Sequence, residues 1–264
     1  MMTHSVSQVL GSGFLSVALL FFILWVIHLR IKNAGIVDVG WGLGFIMLCG
    51  IDIAYGQGLN LRNSLLLLMV VLWGSRITFF LIKRISREGH EDKRYQKMRD
   101  SWGRPIALKF LFFFECQAIL QMILAVPFLF VSLNAKQGIA FWERLGLITF
   151  AVALLGETIA DEQLQHFKTN PANKGITCNE GLWNYSRHPN YFFEWMIWTG
   201  FFLYALGSPH GWIAVISPAI MYYLIVYVSG VPLAEEQALK SRGDDYRKYQ
   251  ATTSVFFPMP KRVH

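Results

Sequence analysis

Seven runs of near-continuous apolar residues, at about 14–31, 36–55, 63–82, 108–132, 144–160, 191–207 and 211–231, govern what this 264-residue chain can become. Each is close to the roughly twenty residues an α-helix needs to cross the hydrocarbon core of a bilayer. In that medium every backbone N–H and C=O must be satisfied within its own segment, so runs of this length fold as helices. Hydrophobic residues make up 54% of the sequence and charged residues 16%, too few to cover a soluble domain of this size. The expected architecture is all-α, a polytopic membrane bundle of about seven transmembrane helices forming one integral membrane domain over 1–264. The first run is long and weakly flanked, and no Ala-x-Ala-like cleavage site follows it closely, so it reads as a retained helix rather than a signal peptide.

Lysine and arginine accumulate in cytoplasmic loops. The segments joining runs one and two, three and four, and five and six, with the tail after run seven, hold 20 of the 24 basic residues. Arg62, Lys136 and Arg144 fall on the opposite side, and Arg76 lies within run three. This predicts an external N-terminus and a cytoplasmic C-terminus, in a bacterial inner membrane. The net charge of +7 follows mostly from the same asymmetry, so it calls for no nucleic-acid partner. Anionic headgroups or an anionic cofactor would suit the basic side. The bilayer and a hydrophobic lipid substrate are the expected partners, with no protein partner required. Cys49, Cys116 and Cys178 form no CxxC pair, and no metal site is expected. No HExxH, Walker loop, GxSxG or GxGxxG after a strand is present, which excludes a soluble dinucleotide fold but not a dinucleotide.

Ionisable groups at membrane depth are expensive unless they pair or face a cavity. Asp38 opens the second run beside Trp41 in "IVDVGWGLGF", and Arg76 lies in the third in "LWGSRITFF". They read either as a buried ion pair joining two helices or as groups that polarise a substrate. Glu115, with Gln117 and Gln121 nearby, reads equally as interhelical hydrogen-bonding glue. In "GETIADEQLQHFK", Glu157, Asp161, Gln165 and Lys168 form one stripe at steps of four and three. It reads as a polar ligand surface, or as an ordinary exit from the membrane. In "GLWNYSRHPNYFFEW", Pro189 suits the first turn of a helix, and Tyr185, Arg187, His188, Asn190, Tyr191 and Glu194 cluster around that start. The stretch "VPLAEEQALKSRGDDYRKY" predicts an amphipathic helix ended by Gly243, a lid or an interfacial anchor. The polar segment 83–104 carries Arg84, Arg87, Arg94 and Arg99, a residue type that meets phosphate well.

These stretches, with "LWGSRITFFLIKR" and the final "FFP", resemble the steroid 5-alpha-reductase-like integral membrane proteins, in particular their bacterial DUF1295 branch. The resemblance implies a cavity open to the cytoplasmic leaflet, NADPH held at the cytoplasmic ends of the later helices, and hydride transfer to the double bond of an unsaturated lipid ketone. It makes Asp38, Trp41 and Arg76 the candidate catalytic residues. It places cofactor contacts at Arg87, Asp161, Lys168, Asn190, Tyr191 and Glu194, to which the polar residues read above and the second likeness below add Arg84, Glu157, Tyr185, Arg187, His188, Glu236 and Tyr246. The chain departs from the steroid enzymes where Asp38 and Trp41 stand in place of a Gln-Glu pair and Trp73 in place of a tyrosine. A second likeness, to isoprenylcysteine carboxyl methyltransferases, rests on Arg187-His188-Pro189-x-Tyr191, then Glu235, Glu236 and Leu239, then Gly243, Tyr246 and Tyr249. It implies S-adenosylmethionine as the alternative cofactor. A non-catalytic lipid-binding protein is the third reading.

Overall fold

A computed structural model describes residues 5–88 and 91–261, and every regular element among them is helical. The chain divides into two compact units, one running to Ala140 and taking in Ala205–Ala214, the other comprising Phe141–Tyr204 and the segment from Val215 onward.

The first unit contains α1 (Val6–Ile31), α2 (Ile36–Tyr55), α3 (Leu61–Glu88), α4 (Lys93–Trp102), α5 (Ile106–Leu124) and α6 (Val126–Ser132). Ser5 and Gln8 cap the start of α1 reciprocally, and Lys32 ends it in the left-handed conformation at φ 53°. Helix α2 is the centre of this unit because three of its glycines admit three neighbours. Gly40 lies against Phe21 and Leu24 of α1, Gly42 against Thr78 and the Gly74 carbonyl of α3, and Gly44 against Gln121 of α5. Gln121 is wholly buried and donates from Nε2 to the carbonyls of Gly40 and Trp41, 3.0 Å each, which makes it the interhelical glue of this helix. Phe21, Phe45, Leu48, Leu66, Trp73, Phe110, Phe114 and Phe128 fill the core.

The second unit contains α7 (Phe141–Thr169), α8 (Pro189–Ala205), α9 (Ile216–Tyr223), α10 (Val231–Arg242) and α11 (Asp244–Thr252). Helix α8 starts at Pro189, as its missing N–H favours. Helices α7 and α8 close tightly where glycine stands: Gly156 lies against the Phe193 ring, and a Cβ at Gly146 would sit 2.5 Å from the Tyr204 backbone nitrogen.

Five helical stretches are long and apolar enough to cross a membrane: Val6–Ile31, Ile36–Tyr55, Leu61–Ser86, Ile106–Leu124 and Gly211–Arg242. With α7 and α8 they account for the seven expected runs, and the protein is an all-α polytopic membrane protein. Three boundaries differ from the periodicity reading. The run 108–132 breaks at Ala125, because Pro127 in the first turn of α6 has no N–H to continue α5. The seventh run begins as a 3₁₀ segment at Gly211–Val215 and passes through a π turn at Leu224–Val228, where the Ser229 amide bonds back to the Leu224 carbonyl at 2.8 Å. The basic segment 83–104 is not a loop, since it consists largely of the last turns of α3 and the whole of α4.

Candidate functional site

In the second unit the polar groups converge on Glu235. Its Oε1 accepts from Arg187 Nε at 2.7 Å and from Tyr246 at 3.3 Å, and lies 3.3 Å from His188 Nε2, while Oε2 accepts from Gln250 Nε2 at 2.8 Å. Arg187 also donates from Nη1 to the carbonyls of Thr253 and Gln250, at 2.7 and 3.1 Å, and its backbone N–H bonds to the Ser254 carbonyl at 2.8 Å. The guanidinium therefore ties the segment leading into α8 to α10 and to the C-terminal end of α11. His188 is buried and stacks on Tyr191 with ring centroids 5.4 Å apart and planes 11° from parallel. Burial lowers its pKa against the opposing pull of Glu235. Tyr249 completes the closure by donating to the carbonyls of Trp183 and Ser186, and packs with Tyr246, Ala238 and Leu239.

Beside this closure, Asn190 on the first turn of α8 donates from Nδ2 to Asp161 Oδ1 on α7 at 3.2 Å. Its Oδ1 is buried and has no hydrogen-bond partner among the described residues. A buried acceptor left without a donor is costly in a finished protein and expected where a ligand supplies the donor. One turn along α7 Glu157 is buried, and one turn along α8 Glu194 accepts from the Trp198 indole N–H at 3.0 Å. Gln163 aligns the approach by accepting from the Leu182 amide at 2.9 Å, close against Gly181, which adopts φ +58°.

In the first unit Asp38 is held by Arg94 Nη2 at 3.0 Å, by the Tyr95 hydroxyl at 2.6 Å and by Arg84 Nη2 at 3.7 Å. Asp92 accepts from Arg94 and Arg84, each at 3.0 Å, and Glu91 accepts from Arg99 at 2.7 and 3.0 Å and from the Ala34 amide at 2.7 Å. Burial, and then the neighbouring Asp38 carboxylate, raise the Tyr95 pKa well above its ordinary value, so the phenol remains a donor. The sequence reading takes Asp38 and Arg76 either as a buried ion pair or as groups that polarise a substrate. The contact of Gly42 with Gly74 and Thr78 sets the register of α2 and α3, and it brings Arg84, two turns beyond Arg76, to the level of Asp38. Trp41 is half-buried beside Phe45, with ring centroids 5.8 Å apart.

Several expected cofactor contacts are thus occupied within the protein. Arg84 and Arg187 are neutralised by carboxylates, while Tyr185 and Lys168 are exposed. Arg87 lies on the last turn of α3 with its side chain outside the described residues. Of the two adjacent glutamates, the inward one is Glu235; Glu236 is exposed and bridges Lys240 at 2.5 Å. Glu235 was visible in the "AEEQAL" motif, but the choice between neighbours depends on helix phase. Tyr95 and Gln250 carry no sequence signal of their own. They lie in polar helices and become part of a site only when another element packs over them.

The family described as "Protein of unknown function (DUF1295)" matches residues 24–253. An uncharacterized protein of Schizosaccharomyces pombe is 25% identical over 270 residues, covering 89% of this chain and 76% of that protein. A protein of Ustilaginoidea virens named "Probable O-methyltransferase ustE" is 35% identical over 95 residues, 36% of this chain and 32% of its own length. No solved structure matches the chain. With the family match spanning both units and every helix from the last two turns of α1 onward, the chain belongs to the DUF1295 family.

Proposed function

We propose that the chain is a membrane methyltransferase that takes S-adenosylmethionine in the unit of α7, α8, α10 and α11 and methylates an oxygen of a hydrophobic acceptor. The observation that carries this reading is the commitment of Arg187, whose guanidinium is taken up by Glu235 and two backbone carbonyls. A cofactor rich in phosphate would need that cation, whereas a sulfonium with an amino acid tail and ribose hydroxyls needs carboxylates and neutral acceptors. Glu157, Asp161 and Glu194 on α7 and α8 are of that kind, and the open Asn190 Oδ1 fits an O–H or N–H donor. The part-length likeness to a protein named as a probable O-methyltransferase supports the same reading. When bound, such a cofactor supplies a methyl group whose bond to sulfur breaks as the bond to the acceptor oxygen forms. The protein's share is orientation by Asn190 and Asp161, and exclusion of water by the closure built on Glu235 and Tyr249.

The second reading is an NADPH-dependent reductase of an unsaturated lipid. It is favoured by the resemblance of the α7 and α8 motifs to the steroid 5-alpha-reductase-like proteins. Under it Arg187 exchanges Glu235 for a phosphate. Both readings place the cofactor on the cytoplasmic side.

Calorimetric titration of the purified protein with S-adenosylmethionine, S-adenosylhomocysteine and NADPH separates them. The expected result is binding of the first two, weakened at least tenfold by Asn190→Leu. Binding of NADPH with no response to either adenosyl compound would replace methyl transfer with reduction. Silence toward all three would leave the lipid-binding reading in possession.

A further inference from the structure

At one end of the first unit three acidic side chains turn inward. Asp38, Glu91 and Asp92 are bound by Arg84, Arg94, Arg99 and Tyr95. What faces outward is cationic. Arg30 and Lys32 at the end of α1, Lys83 near the end of α3, Lys93 and Lys97 on α4, and Arg104 and Lys109 around the start of α5 are all exposed. Against them stands Asp100 as the exposed acid among the described residues of this end. These groups share one level. The Trp25 indole N–H of α1 donates to the Ala107 carbonyl of α5 at 3.0 Å, the Ala34 amide reaches Glu91, and the Lys109 ammonium closes the end of α4 on the Trp102 carbonyl. Trp25 and Trp102, both half-buried, mark the height at which indoles prefer to sit, between headgroups and hydrocarbon.

Helix α4 is built in two faces around this level. Arg94, Tyr95, Arg99 and Trp102 face inward, the last packing at an angle against Phe110 and Phe113, while Lys93 and Lys97 project outward one turn apart. Asp92 caps its N-terminus and takes up Arg94, so the charge left unanswered on α4 is that of Lys93 and Lys97, like charges four residues apart that repel. A bound anion relieves that repulsion. Directly along the spans, Leu29 and Ile31 of α1, Ile82 of α3, and Leu108 and Phe112 of α5 are exposed apolar surface.

We propose that this end, with α4 as its platform, is a binding site for anionic phospholipid. Phosphate headgroups lie along Lys93, Lys97 and Arg104, and the acyl chains lie along the apolar faces of α1, α3 and α5. The cations alone would suit any phosphate, but apolar surface continuous with them selects a lipid.

The test uses the whole protein in nanodiscs of phosphatidylglycerol and phosphatidylcholine, with lipid retained after detergent extraction counted by native mass spectrometry. Wild type should retain phosphatidylglycerol over phosphatidylcholine several-fold, and the preference should fall as sodium chloride rises to 0.5 M. The triple variant Lys93→Gln/Lys97→Gln/Arg104→Gln should cut it by about tenfold or more, since each cation near an anionic surface contributes several-fold. The control Lys240→Gln/Arg247→Gln/Lys248→Gln in the second unit should leave it unchanged. Equal retention of the two lipids by wild type, or a preference indifferent to salt, would overturn the proposal without any variant having to fold. An unchanged preference in the folded triple variant would reduce these cations to topology signals and overturn it as well.

Discussion

Replacing Glu235 with alanine tests whether one carboxylate holds the closure of the second unit together. The substitution removes the acceptor of Arg187, Tyr246 and Gln250 and the partner of His188 at once. Arg187 and Glu235 have side chains only 11% and 17% exposed, so water does not easily replace what is lost. Breaking a fully buried pair costs about 3–5 kcal/mol. Arg187 keeps two carbonyl acceptors, which lowers the expected loss to about 2–4 kcal/mol. For a chain of this size that corresponds to a fall in thermal midpoint on the order of 5–10 °C. Intrinsic fluorescence of the detergent-solubilised protein during a thermal ramp reads it. Glu235→Gln, which keeps an acceptor but not the charge, should cost about half as much. Glu236→Ala, whose partner Lys240 is exposed, should stay within about 0.5 kcal/mol. The ranking is the decisive result: if Glu235→Ala melts with wild type, or if Glu236→Ala is the worse of the two, the closure does not depend on Glu235.

Further consequences follow from the same geometry. Burial alone would raise the carboxyls of Glu91 and Asp92, but Arg99 with the Ala34 N–H, and Arg94 with Arg84, outweigh it and hold both below their ordinary values. Folded values below the unfolded ones mean stability that is present above the ordinary carboxylate range and lost as pH falls through the folded values. The thermal midpoint should therefore decline below about pH 5, with a shallower slope in Glu91→Gln. Gly146→Ala sets a methyl against the Tyr204 backbone, which no rotamer change relieves, and should cost about 1–3 kcal/mol; Gly11→Ala, with nothing near it, should be neutral or gain up to about 1 kcal/mol. Reporter fusions after Gly207 and at His264 should report opposite sides of the membrane, and same-side signals would remove the seven-span topology.

The sequence alone determined the all-α, polytopic class, because a bilayer permits only segments that satisfy their own backbone. The start of α8 at Pro189 and the end of α10 at Gly243 were equally legible, since proline and glycine act through the local backbone whatever packs nearby. The breaks at Ala125 and Leu224–Val228 were not, because hydropathy counts apolar residues and is blind to how their carbonyls are satisfied. Charge partnership was hidden for a related reason. An arginine in a polar stretch has the same sequence appearance whether it awaits a phosphate or grips a carboxylate, and only the packing of α4 on α2, and of α10 and α11 on the start of α8, assigned Arg94 to Asp38 and Arg187 to Glu235. The motif marked where the polar groups of the second unit lie. Their orientation, which left Asn190 Oδ1 open while Arg187 was closed off, depended on contacts tens of residues apart that no local periodicity records.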